Sequence, residues 1–164
     1  PDPTGEALQA PLVSAESFDE LSAREQEILN AAAPLIQTRI QMLRECRDML
    51  GFLFVSDAEL TIDDKAVAKL KVSAGDVLDA GIHALEGLGP EQWGRGQLEE
   101  ALSAAIVEGQ GMPNGEGIKP RLAYGPLRVA VTGRQVSPPL FESMEILGAG
   151  STLARLKALR ARLG

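Results

Sequence analysis

The residues best suited to binding chemistry are two arginines, Arg128 and Arg134, that lie between two predicted helix starts. The second of these starts is Ser137-Pro138, a serine N-cap followed by a proline in the first turn. Helix starts offer free N–H groups and positive potential, which attract phosphates and other anions. With the apolar Leu140 beside them, these residues predict a surface that holds a backbone and splays single-stranded bases, as in proteins that read RNA loops.

Catalytic chemistry has little support in this sequence. No phosphate loop, dinucleotide fingerprint, zinc-protease motif or serine-hydrolase elbow occurs. Adjacent acids such as Asp63-Asp64 fall on predicted helices, where consecutive side chains diverge by about 100°, so they indicate a solvated face. The only cysteine, Cys46, and the only histidine, His83, cannot supply a disulfide or a zinc ligand set. We therefore expect no catalytic residue and no metal site.

Charge is distributed unevenly along the chain, whose formal net charge is −7. Residues 1–118 hold 8 Lys/Arg against 21 Asp/Glu, whereas residues 119–164 hold 8 against 2, which gives −13 and +6. An acidic body with a basic end is typical of a protein that meets phosphate through one patch. Basic residues in a last helix also complement the helix dipole, so both interpretations stay open.

Composition places the chain among globular proteins. Its 164 residues, 45% hydrophobic and 24% charged, suffice to bury a core without metals or disulfides. No run approaches the roughly 18 apolar residues of a membrane span, and the first residues lack the pattern of a signal peptide. We therefore expect a cytoplasmic protein with no membrane partner.

Helical spacing of apolar residues predicts an all-α fold of two small helical bundles packed end to end. Residues 1–30 are assigned to a lead-in and first helices, 31–90 to the first bundle and 91–164 to the second. Prolines are predicted to start two helices, at Pro34 and Pro126. Serine N-caps are predicted to open three more, at Ser73, Ser137 and Ser151. Glycines are predicted to end three, at Gly109, Gly133 and Gly148.

Three motifs, taken in order, carry a family resemblance. The first reads Ala33-Pro-Leu-Ile-Gln-Thr-Arg-Ile-Gln-Met-Leu and ends in Phe52-Leu-Phe; it is similar to the start of the anticodon-binding region of bacterial glutamyl-tRNA synthetases. The next two resemble the C-terminal signature of the same family and read Pro126-Leu-Arg-Val-Ala-Val-Thr-Gly and Val136-Ser-Pro-Pro-Leu-Phe-Glu. Trp93 falls where the family has a tryptophan. The likeness covers about residues 31 to 163.

The resemblance implies an anticodon-binding module whose partner is tRNA(Glu), with tRNA(Gln) left open. In that family an arginine at the place of Arg39 approaches the third anticodon base. The positions matching Arg128, Ser137, Pro138 and Leu140 line the pocket for the first two bases. For Ser137 and Pro138, plain N-capping stays open as a second role.

An ion pair with Glu142 is the alternative for Arg128. The basic end of the chain is expected to contact the tRNA backbone, through Arg134, Arg155, Lys157 and Arg160. One departure from the family is Gly94-Arg-Gly after the tryptophan, where a polar pair that starts a helix is usual. A second is a longer loop between residues 109 and 117.

The family's catalytic domain, which uses ATP to attach glutamate to tRNA, has no counterpart in these residues, since HIGH-like and KMSKS-like motifs are missing. We expect a monomer without a cofactor of its own, whose structural partner is the catalytic half of the same polypeptide. Two alternatives stay open. One is a helical protein-interaction module that docks an acidic partner, and the other is a free-standing tRNA-binding factor.

Overall fold

The computed structural model describes residues 21–36 and 43–164, and within them every regular element is helical. The described residues form eight α-helices: α1 (Ala23–Ile36), α2 (Leu43–Leu50), α3 (Asp64–Ala68), α4 (Ala74–Glu86), α5 (Arg95–Leu102), α6 (Pro120–Thr132), α7 (Leu140–Leu147) and α8 (Ala149–Leu163). Short 3-10 helices follow α2 (Gly51–Leu53) and precede α5 (Pro90–Gln92), and a π-helical stretch extends α5 (Ser103–Val107). The all-α prediction is confirmed.

Helix α4 lies at the centre of the core. It packs against α6 and α8, which also pack against each other, while α7 packs on α5 and α1. Most of the buried apolar side chains in the described residues form one cluster, in which Val77, Leu127 and Leu156 have no exposed surface. This cluster joins helices from both sides of residue 90, and the division into bundles 31–90 and 91–164 stays a prediction. No helix in the described ranges is long and apolar enough to cross a membrane.

The two prolines that were predicted to start helices instead lie inside them. Pro34 is in the last turns of α1, and Pro126 is in the middle of α6. The helix containing Pro126 starts six residues earlier, where Pro120 takes the first position. Burial explains the difference, because Ala123, Pro126 and Leu127 are all buried, so the apolar stripe of α6 continues through the proline.

Of the three predicted serine caps, Ser73 takes the N-cap position of α4 without the predicted side-chain hydrogen bond, whereas Ser137 and Ser151 do not open helices. Ser73 already has helical backbone angles and makes no side-chain cap hydrogen bond. Pro138 precedes Pro139, and a residue before proline avoids the helical region, so Pro138 cannot be the first helical residue and α7 starts only at Leu140. Ser151 lies inside α8, which begins directly after Gly148.

The three glycine ends are confirmed. Gly109, Gly133 and Gly148 have φ values of 84°, 78° and 84°, the left-handed conformation that glycine adopts without strain.

Candidate nucleic-acid interface

The basic side chains of α8 are paired with acids from other parts of the fold. The ion pairs are Arg155 with Asp57 at 2.7 Å, Lys157 with Glu86 at 2.6 Å, Arg160 with Asp79 at 2.8 Å, and Arg162 with Asp64. A cation in contact with a carboxylate projects little net field, so the +6 counted along the sequence does not become a strongly positive helix face.

Arg155 is enclosed by the protein and cannot reach an RNA backbone. Only 2% of it is exposed. Its guanidinium donates hydrogen bonds to the backbone oxygens of Phe52 and Val131, both at 2.9 Å, and of Val55 at 3.0 Å, besides the Asp57 carboxylate. This burial argues against the predicted contact of Arg155 with the tRNA backbone. This arginine instead ties the turn after α2 to the end of α6.

The structure brings Arg128 and Ser137 together, as the predicted anticodon pocket requires. Arg128 Nε donates to Ser137 Oγ at 3.3 Å, and Ser137 Oγ donates to the backbone oxygen of Pro138 at 2.8 Å. Ser137 and Leu140 are 5% and 3% exposed, and Pro138 is buried as well. The exposed surface of the loop between α6 and α7 is formed by residues 134–136, which begin with Arg134. Contact of the four predicted residues with anticodon bases stays a prediction.

Glu142, the ion-pair partner predicted as an alternative for Arg128, forms an ion pair with Arg95 at 3.6 Å. Arg128 donates a hydrogen bond to Ser137. Arg39, assigned to the third base, lies outside the described residues, and its role also stays a prediction.

A cavity of about 280 Å³ lies beside this loop. We call it the loop cleft; it is lined at one side by Arg134, Val136 and Ser137, and at the other by the end of α2 with Phe52, Phe54 and Thr61. Its walls combine charged groups of both signs, including Asp48 and Glu59, with aromatic carbons, which suits a base with a polar edge and an apolar face.

Gly133 connects the loop between α6 and α7 to the segment before α3 through its backbone. Its oxygen accepts a hydrogen bond from the Asp63 amide at 2.8 Å. A Cβ atom at this position would lie 2.3 Å from the backbone oxygen of Thr61, so no side chain fits. Next to it, the Arg134 amide donates to Thr132 Oγ1 at 3.2 Å. The loop is thus held at its base while the Arg134 side chain stays exposed.

A larger groove lies on the other side of Arg128. It has a volume of about 1070 Å³ and runs between residues 68–73 and α6. We call it the lysine groove; its basic lining residues are Lys69, Lys71, Arg121 and Arg128. Among the described residues that line it, none is acidic.

The sequence interpretation missed this groove, because Lys69 and Lys71 belong to the acidic first 118 residues. A local signal was available, since residues 65–75 contain three lysines and no acid. Counting charge over long segments concealed it, and only the fold places these lysines opposite Arg121.

Exposed apolar side chains accompany the lysine groove. Leu122 lines the groove and is 38% exposed, and Val72, which lies between two lining residues, is fully exposed. Val136, 79% exposed, lines the loop cleft and directly follows Gln135, which lines the lysine groove. Within the part of the chain that the structure describes, these are the exposed large hydrophobic residues, and each lines one of the two cavities or adjoins a residue that does.

Tyr124 forms part of the groove wall without adding negative charge. Burial raises the pKa of its phenol above 10.0, and Glu99 raises that pKa further, while a hydrogen bond with Ser103 opposes both. The ring also packs edge-on against Phe141, with centroids 5.2 Å apart. The phenol therefore stays neutral at physiological pH.

Comparison with known proteins gives the family. A family model described as anticodon binding domain matches residues 7–160. The glutamate–tRNA ligase of Bifidobacterium longum is 51% identical over 152 residues, which cover 93% of this chain and 29% of that protein. The glutamate–tRNA ligase of Kineococcus radiotolerans is 54% identical over 142 residues, covering 87% and 27%.

The fold has solved counterparts too. The crystal structure of a glutamate tRNA ligase from Elizabethkingia meningosepticum in complex with its amino acid superposes with a TM-score of 0.66 at 17% identity, covering 98% of this chain and 30% of that one. The chain spans less than a third of the length of these relatives. The family resemblance stated from the sequence is confirmed. The chain belongs to the anticodon binding domain family.

Proposed function

We propose that this chain recognises the anticodon of tRNA(Glu) as part of a glutamate–tRNA ligase. The observation that carries the proposal is the contact between Arg128 and Ser137, two residues predicted to line the anticodon pocket, at the junction of the loop cleft and the lysine groove. This contact holds the half-buried Arg128 against the buried Ser137, so the guanidinium is fixed beside the loop that would present a base-reading edge.

The loop cleft is the part of this face that suits bases. At about 280 Å³ it is near the lower end of the size of small-molecule pockets, which matches one or two unstacked bases rather than a duplex. Arg134 at its rim is exposed and forms no ion pair with any described residue, so it is available for a phosphate. Pro138 and Leu140, the other two residues predicted to line the pocket, are buried.

In this proposal the ATP-dependent attachment of glutamate belongs to another part of the ligase polypeptide, and this chain holds no cofactor. It acts as a monomeric module in the cytoplasm, where it positions the tRNA for charging. Whether tRNA(Gln) is also accepted depends on the third anticodon base, which we assign to Arg39.

A binding titration tests the proposal. The chain is titrated with tRNA(Glu) and with the same tRNA carrying an exchanged anticodon, each at two salt concentrations. A lost base-edge contact costs about 1 to 3 kcal/mol, so the exchanged tRNA should bind correspondingly more weakly at both. Equal affinity for the two tRNAs and for unrelated RNA would contradict anticodon recognition. It would leave the protein-interaction alternative in place.

A further inference from the structure

We propose that the lysine groove holds the ribose-phosphate backbone of the tRNA strand next to the anticodon, and that α8 does not. The inference rests on the proposed function and adds a second contact surface to it. The partner it commits to is a single RNA strand, recognised by its phosphates.

Unbalanced charge is the first argument. The side chains of Lys71 and Arg121 are exposed and have no ion-pair partner among the described residues. Lys69 Nζ donates to the amide oxygen of Gln135 at 3.4 Å, a neutral partner that leaves its charge in place. Cations gathered in a groove without carboxylates create a local positive field, although the whole chain has a net charge of −7.

Shape is the second argument. At about 1070 Å³ the lysine groove exceeds the usual range of small-molecule pockets, and both of its walls are long chain segments, residues 68–73 and the first turns of α6. Its apolar lining residues include Leu122 and Tyr124. A groove whose lining combines cations with apolar side chains suits a single strand, which offers both phosphates and base faces.

Continuity with the predicted anticodon pocket is the third argument. Arg128 and Gln135 line the lysine groove, and Arg128 is hydrogen-bonded to Ser137, which lines the loop cleft. A strand whose bases enter the loop cleft would therefore leave it past Arg128 and along the lysine groove. By contrast, three α8 cations already have carboxylates at contact distance, namely those of Glu86, Asp79 and Asp64.

Two triple variants test the inference, since each removes three positive charges. The groove variant is Lys69→Gln, Lys71→Gln and Arg121→Gln. The matched control in α8 is Lys157→Gln, Arg160→Gln and Arg162→Gln. Affinity for tRNA(Glu) and for its anticodon-exchanged version is measured over a salt series, and circular dichroism checks that each variant is folded.

The groove variant should weaken both tRNAs by the same factor and flatten the slope of log affinity against log salt by about 1 per lost phosphate contact, about 2 to 3 in all. The preference for the cognate anticodon should be unchanged. The α8 control should alter the slope by less than about 1, since its cations make no phosphate contact. If the groove variant fails to fold, Lys71→Gln and Arg121→Gln singly should each flatten the slope by about 1.

An unchanged slope in the groove variant, or an equal loss in the α8 control, would overturn the inference. These outcomes are distinct from failure of the proposed function. That failure would show as a wild-type chain with no preference between the two anticodons.

Discussion

Helix α8 and the lysine groove are both rich in basic residues, yet they differ in what faces those residues. Four α8 cations meet carboxylates from segments distant in sequence, and one of them is buried. The groove cations Lys71 and Arg121 meet no acid in the described residues. The position of a basic surface is therefore decided by the partners that the fold supplies, and a count of charges along the chain can select the wrong helix.

The largest expected effect concerns the buried member of α8. Arg155→Met should lower the free energy of unfolding by about 3 to 5 kcal/mol, because Asp57 and three backbone oxygens lose their donor. Chemical denaturation measures this change. Arg160→Met is the matched control, since Arg160 forms a surface pair with Asp79, and its loss should stay within about 1 kcal/mol. Equal losses of stability for the two variants would contradict the distinction between the buried hydrogen bonds of Arg155 and the surface ion pair of Arg160 with Asp79.

The next effect concerns Gly133, whose backbone connects the loop after α6 to the segment before α3. Gly133→Ala should destabilise the chain by about 1 to 3 kcal/mol, since the left-handed backbone and the Thr61 oxygen both exclude a methyl group. It should also reduce anticodon preference, because the loop bearing Arg134 loses its fixed base. The control is Gly150→Ala in α8, where the methyl group meets open space and should stabilise by up to about 1 kcal/mol. Thermal unfolding that ranks the two variants the other way would refute the role given to Gly133.

Arg39 provides a test of base reading that is separate from backbone binding. Arg39→Ala should cost about 1 to 3 kcal/mol with the cognate third anticodon base and little once that base is changed. Arg39→Gln, which keeps donors but removes the charge, should narrow the difference between tRNA(Glu) and tRNA(Gln). A double-mutant cycle that crosses the protein and base changes measures the coupling. Coupling near zero would mean that Arg39 forms only a surface ion pair.

The smallest effect is expected for the exposed pairs of α8. Crossing Lys157→Ala with Glu86→Ala should give a coupling of about 0 to 1 kcal/mol in stability, reduced further by salt, because both side chains are about half exposed. Double-mutant analysis of unfolding at low and high salt checks this value. A coupling above 2 kcal/mol that persists in high salt would show that α8 is held by its ion pairs.

Features set by neighbouring residues in the chain were predictable. The apolar spacing of Val77, Leu78 and Leu85 predicts α4, and those residues are buried. Glycine ends were predictable for the same reason, since a positive φ is common where a helix stops and glycine adopts it without strain. The motif at residues 126–142 also identified the family and two residues, Arg128 and Ser137, that the fold brings into contact.

Features set by distant residues were not predictable. Arg155 resembles any other basic residue of an amphipathic last helix, and its partners Phe52, Val55 and Asp57 lie about a hundred positions away. Likewise Lys71 and Arg121 are separated by 50 positions, and no periodicity within one helix relates them. The predicted helix start at Pro126 was wrong because α6 continues through this buried proline. The predicted start at Ser137 was wrong because Pro138 is followed by Pro139, which keeps Pro138 out of the helical region.

Lysine acetylation tests most directly which face meets the RNA. The chain has five lysines, at positions 65, 69, 71, 119 and 157, so mass spectrometry can follow each one with and without tRNA(Glu). We expect bound tRNA to protect Lys69 and Lys71 and to leave Lys157 as reactive as in the free chain. Protection of Lys157 with no change at Lys69 and Lys71 would place the RNA on α8 and contradict the account.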